Sequence, residues 1–488
     1  MNVSTEIRCS DSEEDAYEDE SNGPFPLNRL DSECRDERGI PHKTTEMQTF
    51  FHLLKGYIGP GCLSLPWAFS QLGITVGFLS TIGLSFLTSY NCLSVVRVFR
   101  EQIGEGQATN DRTRDSSRKE ITYADVGAMA YGVKFRIFVT FSILTQQLAI
   151  CTIFFSFIGE NLISILHKLS GHDGLLDKKI VAITLSLPTV LALSCIPDLR
   201  ALAPVSKVGL VMLLASFVML GTAVAENWGE HVSPQVELSK VPIAMCAIMY
   251  SFEGVCLVMP VEQSMKHPKK FNRTFILAMV TTCIVYSSVG VTCVMAFGSI
   301  SNGSITAFLM NNSDQYVGVD WVILSNALVT LSVLFTYPLQ LFPCIGLVAK
   351  IVQTRSLSDD SGGVNTDFIP LDTDEMANER DEEPTTEDLQ DLDGPMLRAG
   401  LVIFTYIVAI TIPNVQELIS FAGAFAGSAT ALIIPPLIDL KFVLQSNRKT
   451  SLAAIKCYLL LIIGLVFGII GTSASIVDIY KVWFLGYA

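Results

Sequence analysis

Gly59-Pro60-Gly61-Cys62-Leu63-Ser64-Leu65-Pro66 interrupts an otherwise apolar stretch, and its reading decides the rest of the chain. Two glycines and two prolines in eight residues cannot continue a regular helix. Proline lacks an amide donor and clashes with the preceding turn, while glycine loses the most backbone freedom on ordering. If such a break lies in hydrocarbon, the freed backbone groups must be satisfied by protein or by a polar cavity. The first question is therefore whether residues 47–71, which contain the break, cross a membrane.

Composition says that they do. Of 488 residues, 50% are hydrophobic and only 16% are charged, against roughly 25% charged in an ordinary soluble domain. A soluble enzyme with a conventional core, a collagen-like chain, a disulfide scaffold and a wholly disordered chain are all disfavoured. Apolar runs between polar breaks give eleven expected spans: 47–71, 76–99, 134–166, 179–196, 204–225, 241–265, 273–298, 320–351, 397–413, 417–441 and 452–477. Each approaches the roughly 20 residues needed to cross about 30 Å of hydrocarbon. The sixth is doubtful as one helix, the ninth is short, and the eighth is long enough to tilt. No run alternates with period two, which argues against a barrel. The expected fold class is an all-α polytopic membrane protein.

Charge sets the expected orientation. The net charge of −14 comes from two hydrophilic segments: residues 1–46 hold 13 acids and 5 bases, and residues 359–393 hold 14 acids and 1 base. What remains is mildly basic. With the amino terminus in the cytoplasm, 27 of the 33 basic residues fall in the tail, the even-numbered loops and their flanks, as the positive-inside rule requires. The expected organisation is an acidic disordered cytoplasmic tail (1–46), a transmembrane domain (47–477) and an acidic disordered cytoplasmic insert (353–396). No secretory signal precedes the first apolar run, so the first helix is expected to be an uncleaved anchor. Sequons at Asn302 (Asn302-Gly303-Ser304) and Asn311 (Asn311-Asn312-Ser313) fall in the seventh loop, on the far side. Of 12 cysteines, Cys9 and Cys34 lie in the tail and the rest within or at the ends of spans. They read as packing residues, not a disulfide framework.

The sixth expected span carries a second interruption, Ser251-Phe252-Glu253-Gly254, with Pro260 shortly after. The two breaks occupy the first helix of each successive set of five. Five is odd, so the second set would enter from the opposite side as an inverted repeat. Interrupted helices at corresponding positions of two halves point to a transporter's midplane site.

At these positions the chain resembles a known family. His52-Leu53-Leu54-Lys55-Gly56, followed by Gly59-Pro60-Gly61 and Leu65-Pro66, is similar to the first helix of the proton-coupled amino acid transporters, of the amino acid/auxin permease superfamily. Tyr250 to Gly254 with Pro260 and Met265-Lys266 resembles their sixth helix. Phe335 to Gln340 resembles the eighth, and Thr122-Tyr123 with Gly127 the approach to the third. The resemblance covers about 50–475 without the acidic insert. Pro60 departs from the Thr or Ala more often found there, and the far-side cysteine pair typical of animal members is absent. The resemblance implies a LeuT-type fold of five plus five helices with broken helices 1 and 6, the eleventh helix being peripheral.

The breaks also suggest chemistry. A half-helix starting near Gly61 offers the Gly61, Cys62 and Leu63 amides and a positive dipole end to a carboxylate, and Ser64 can add a hydroxyl. Carbonyls freed near Ser251, Phe252 and Gly254 suit an ammonium group. Gly59 and Gly61 let backbone approach ligand. Small neutral amino acids are the expected substrates. Glu253 and His52 are the candidate proton-coupling groups: an intramembrane ionisable residue is costly and functional by default, and the resemblance implies proton coupling for the histidine. The bland readings are a hydrogen-bonded neutral acid and a packing imidazole. Lys55 can snorkel to the cytoplasm and Glu160 to the far side; Glu262 and Asp439 are expected near the cytoplasmic boundary. The histidines show no metal-ligand spacing, no phosphate-cradling loop is present and the basic clusters are loop-sized, so no cofactor, no metal and no nucleic-acid partner is expected.

The expected function is secondary active transport of neutral amino acids coupled to protons by alternating access. One alternative is sodium coupling, with Ser332 and Thr336 as oxygen donors. Another is an amino-acid-sensing receptor whose acidic segments recruit cytoplasmic regulatory partners. The chain is not expected to be an enzyme. It is placed in the plasma membrane or a lysosomal or vacuolar membrane, the lack of far-side disulfides favouring the acidic compartment.

Overall fold

The computed structural model describes residues 44–109, 121–170, 179–196, 199–229, 236–316, 321–360, 394–412, 414–445 and 451–485. Residues 1–43 and 361–393, which hold most of both acidic segments together with Cys9 and Cys34, lie outside the described residues. The described residues are helical almost throughout, and their extended pairing is one isolated bridge between Thr44 and Met265.

The chain enters through α1 (Glu46–Tyr57), whose first amides are closed by a capping box between Thr45 and Gln48. A 3-10 turn over Pro60–Ser64 follows, then α2 (Leu65–Thr109). Gly73, at φ 72°, bends α2 and separates the end of the first expected span from the second; only glycine adopts that conformation freely. α3 (Tyr123–Tyr131) is short and is turned into α4 (Val133–Ser170) at Gly132, φ 76°. Next come α5 (Lys179–Ser194) and α6 (Leu199–Glu226). The sixth expected span is two helices, α7 (Val241–Ser251) and α8 (Val255–Ser264). α9 (Phe271–Phe297) leads to the short α10 (Ile305–Asn311), then α11 (Val322–Asp360) and α12 (Pro395–Thr411). α13 (Val415–Ala422) runs into a π-helical segment, Gly423–Ile433, and on into α14 (Ile434–Gln445). α15 (Ser451–Leu485) completes the described chain.

Among the described residues, eight helical stretches are long and apolar enough to cross a membrane, and Ile180–Ser194 and Pro395–Thr411 are shorter apolar helices. The stretch Pro60–Gln102 contains the Gly73 bend and so carries parts of two expected spans. The chain is thus an all-helical, multi-pass membrane protein.

Small residues let these helices approach closely, as interfaces without a hydrophobic driving force require. Phe69 fills a hole made by two glycines: a Cβ on Gly77 would lie 2.8 Å from its ring and one on Gly290 of α9 only 2.5 Å away. Ion pairs gather at one end of the bundle. Arg100 pairs with buried Glu262 at 2.9 Å and donates to the Pro268 carbonyl at 2.6 Å. Arg97 pairs with buried Asp439 at 2.6 Å. Lys270 pairs with Glu46. Two of the weak acidic candidates therefore serve the packing of this end. Here Thr44 is stitched to the end of α8: its amide donates to the Ser264 carbonyl at 2.8 Å, and the Lys266 amide donates back at 2.9 Å. All ten described cysteines are free.

Candidate functional site

Both interruptions are real, and the fold places them face to face. Pro60 and the glycines on either side end α1 at Tyr57 and replace its next turn with a 3-10 segment. In that segment the Cys62 amide donates to the Gly59 carbonyl at 3.0 Å. The Ser64 hydroxyl, 1% exposed, donates to its own Gly61 carbonyl at 2.7 Å and so braces the turn in this conformation. Cys62 and Leu63 are buried. The Gly61 amide stands at the open amino-terminal end of the turn, where no intrahelical acceptor exists.

Across from it, α7 ends at Ser251, and Phe252 to Gly254 separate it from α8. A Cβ on Gly61 would lie 3.2 Å from the Tyr250 ring and 3.9 Å from the Ser251 hydroxyl. A Cβ on Gly254 would lie 2.5 Å from the Tyr57 ring. Each break thus holds a glycine against the aromatic residue at or near the end of the other break's half-helix. Phe252 is fully buried and meets Tyr286 of α9 edge-on at 5.1 Å.

Tyr286 joins the two breaks. Its hydroxyl lies 2.6 Å from the Tyr57 carbonyl oxygen and 2.7 Å from the Ser251 carbonyl oxygen. These are the last residues of α1 and α7, where a helix leaves carbonyls without intrahelical partners.

Glu253 occupies the second break. The residue keeps partial exposure, yet its Oε2 is shielded and has no hydrogen-bond partner. Its Oε1 accepts from the Thr430 hydroxyl at 3.1 Å. Thr430 belongs to the π-helical segment, and a Cβ on Gly427 there would lie 3.1 Å from Oε2. The segment's wide turn is held from outside: Tyr123 donates to the Thr430 carbonyl at 2.9 Å and Asn91 to the Ala431 carbonyl at 2.8 Å. Single π turns inside helices are frequent at functional sites. The ionisable groups that act on or are acted on by the Glu253 charge are Tyr57, Cys92, Tyr123, Tyr250 and Cys256, none of them a cation.

His52 lies elsewhere, on α1 beside Lys55, and Lys55 in turn feels the charge of Lys207 on α6. The expected sodium donors, Ser332 and Thr336, lie on α11. Ser332 is buried, the Thr336 hydroxyl donates to its carbonyl at 2.7 Å, and both back onto Gly209 of α6. Glu160 turns to α10, where its Oε1 lies 3.5 Å from the Ser304 amide.

Sequence reasoning missed Tyr286, Thr430 and the glycine–tyrosine contacts. A tyrosine in an apolar helix reads as packing. The run Gly423-Ala424-Phe425-Ala426-Gly427-Ser428-Ala429-Thr430, rich in small residues, was the available sign of a close approach there.

Two interrupted membrane helices, packed glycine against tyrosine and joined by Tyr286, with a shielded carboxyl group in the second, form the site. Residues 42–477 match the family described as transmembrane amino acid transporter protein, and the chain belongs to that family. It is 25% identical to the proton-coupled amino acid transporter-like protein pathetic of Drosophila melanogaster, over 91% of this chain and 88% of that one. It is 24% identical to vacuolar amino acid transporter 3 of Saccharomyces cerevisiae, over 92% of this chain but only 58% of the yeast protein. A solved manganese transporter of Eremococcus coleocola aligns over 89% of this chain and 94% of that one, at 14% identity and a TM-score of 0.33, too loose a superposition to bear on the fold.

Proposed function

We propose that this protein carries small neutral amino acids across its membrane in symport with protons, by alternating access of a LeuT-type five-plus-five bundle. The observation that carries the proton reading is Glu253: a carboxyl group inside a helix break, held by one threonine hydroxyl, with one oxygen unpartnered and no ion pair among the described residues. Ionised there without water, it would be strongly destabilised. Its charge must therefore follow its access to solvent, which is what coupling demands of a titrating group. The Gly61 amide and the carbonyls of Tyr57 and Ser251 are the backbone groups suited to a substrate's carboxylate and ammonium. His52, nearer the start of α1 and beside a lysine, is the second proton candidate.

Sodium coupling is the second reading, with Ser332 and Thr336 of α11 as its oxygen donors. The names of the relatives, one proton-coupled and one vacuolar, support proton coupling and a vacuolar or lysosomal membrane. The acidic tail and insert are proposed to be cytoplasmic segments open to regulatory partners.

The test is a panel of amino acids in proteoliposomes with an imposed pH gradient. Wild type should accumulate neutral amino acids when the gradient is present, with sodium absent. Glu253→Gln keeps the shape without the charge, so it should retain exchange at equal pH and lose accumulation. His52→Ala should also reduce accumulation if the imidazole takes part. Accumulation that needs sodium at constant pH would sink the proton reading.

A further inference from the structure

We propose that Tyr286 is a self-ligand of the empty carrier: its hydroxyl occupies the place of the substrate's ammonium between the two broken helices and must be displaced for substrate to bind. The inference rests on the substrate reading above and deepens it. It names the residue that sets the affinity for the amino end.

The argument starts from a count of protons. The Tyr57 and Ser251 carbonyl oxygens lie 2.6 Å and 2.7 Å from one phenol oxygen. A neutral phenol has a single proton to donate, so at each moment one carbonyl is bonded and the other faces an oxygen at hydrogen-bond distance without a hydrogen between them. Both carbonyls end helices and carry the negative pole of a helix dipole. Such a pair suits a group with several donors and a positive charge. A primary ammonium has three donors and a full charge. The phenol is thus a weaker occupant than the substrate it resembles in position.

Its surroundings make the occupancy deliberate. Tyr286 is completely buried, its ring is set edge-on against Phe252 inside the second break, and it belongs to α9, outside both broken helices. A group on a third helix can hold the two breaks together while no substrate is present and let go of them when one arrives. An empty carrier that kept bare helix-end carbonyls in its interior would bear the cost of unsatisfied buried acceptors. Tyr286 removes part of that cost, and each substrate must compete with it.

The test compares Tyr286→Phe with wild type in purified full-length protein, using L-alanine and L-leucine as probes beside propionate and isocaproate, their amine-free counterparts. The variant should bind the two amino acids about threefold to tenfold more tightly, the equivalent of one lost hydrogen bond. Binding of the amine-free acids should not change, because they never displace the hydroxyl. Equal shifts for both classes would reveal a merely structural role and overturn the proposal, as would unchanged or weaker amino-acid binding. Wild type that binds neither amino acid would overturn the substrate reading and the proposal with it; wild type that binds both, beside an unaltered variant, overturns the proposal alone. If Tyr286→Phe does not give a monodisperse protein, fluorotyrosine at position 286 keeps the hydroxyl. Its fluorine resonance should move on saturation with L-alanine and stay in place with propionate. A resonance unmoved by L-alanine overturns the proposal.

Discussion

Gly61 is where a single methyl group decides between two functions of the same backbone. Its absent Cβ leaves room for the Tyr250 ring, 3.2 Å from where that atom would stand. Gly61→Val would force the ring away and restrict the turn. We expect the protein to insert and remain monodisperse, because the flanking apolar segments are unchanged. Uptake should fall at least about tenfold, the effect of roughly 1.4 kcal/mol. Uptake per correctly inserted molecule in proteoliposomes measures this, and unaltered uptake would remove the contact from the site. The residue was legible beforehand as a place that must stay small. The reason was not: the sequence suggested a ligand, and the structure supplies a tyrosine almost two hundred residues later in the chain. Pairings between distant helices leave no local trace in a single sequence. Tyr286 illustrates this best, since nothing about a tyrosine among valines and threonines points to two carbonyls on two other helices.

At the scale of elements, the reading was better where backbone chemistry speaks for itself. The breaks at residues 59–66 and 251–254 follow from residues that helices tolerate poorly, whereas the bend at Gly73 falls in the gap between the first two expected spans without being legible as a bend. The π-helical segment did not announce itself, because its wide turn depends on Tyr123 and Asn91 reaching in from α3 and α2. Nor did the clasp of α10. There the Ser304 and Thr306 hydroxyls donate to Asn161 Oδ1 of α4 at 2.8 Å and 3.1 Å, all three side chains being buried. The short helix also touches the 3-10 turn of the first break, so the clasp bears on the edge of the site. Asn161→Ala should destabilise the protein by about 1–3 kcal/mol, the cost of leaving buried hydroxyls without their acceptor. It should also speed exchange of bound substrate at that end. Thermal unfolding and isotope exchange at equal pH would measure the two effects; an unchanged melting temperature would show that the clasp carries no load.

For the whole molecule, the eleventh expected helix matters more than a peripheral position suggests. α15 exposes most of its surface, with only 11% of its most apolar window buried, as a lipid-facing helix should. Yet three of its glycines are aimed at the segment that carries Thr430. A Cβ on Gly464 would lie 2.7 Å from the Leu432 carbonyl oxygen and one on Gly468 2.8 Å from the Ser428 hydroxyl; one on Gly471 would strike Cys246 of α7. Gly468→Leu should therefore push α15 off the π-helical segment at a cost of about 1–3 kcal/mol. It should impair proton-driven accumulation more than exchange, because the disturbance reaches Glu253 through Thr430. Both fluxes can be read in the same vesicles, and equal losses would mean that the helix only supports the fold.

One small feature ties these scales together. Thr44, just ahead of α1, pairs with Ser264 and Lys266 through two backbone hydrogen bonds, so the leading edge of α1 and the trailing edge of α8 share a latch. If the two breaks act as hinges, these helices are the outer leaves of a double door. Either both bonds part and each half-helix swings alone, or the latch holds and the pair swings as a single panel. Force applied to the chain at residue 44 would then reach the hinge beside Glu253 as surely as the hinge beside Gly61.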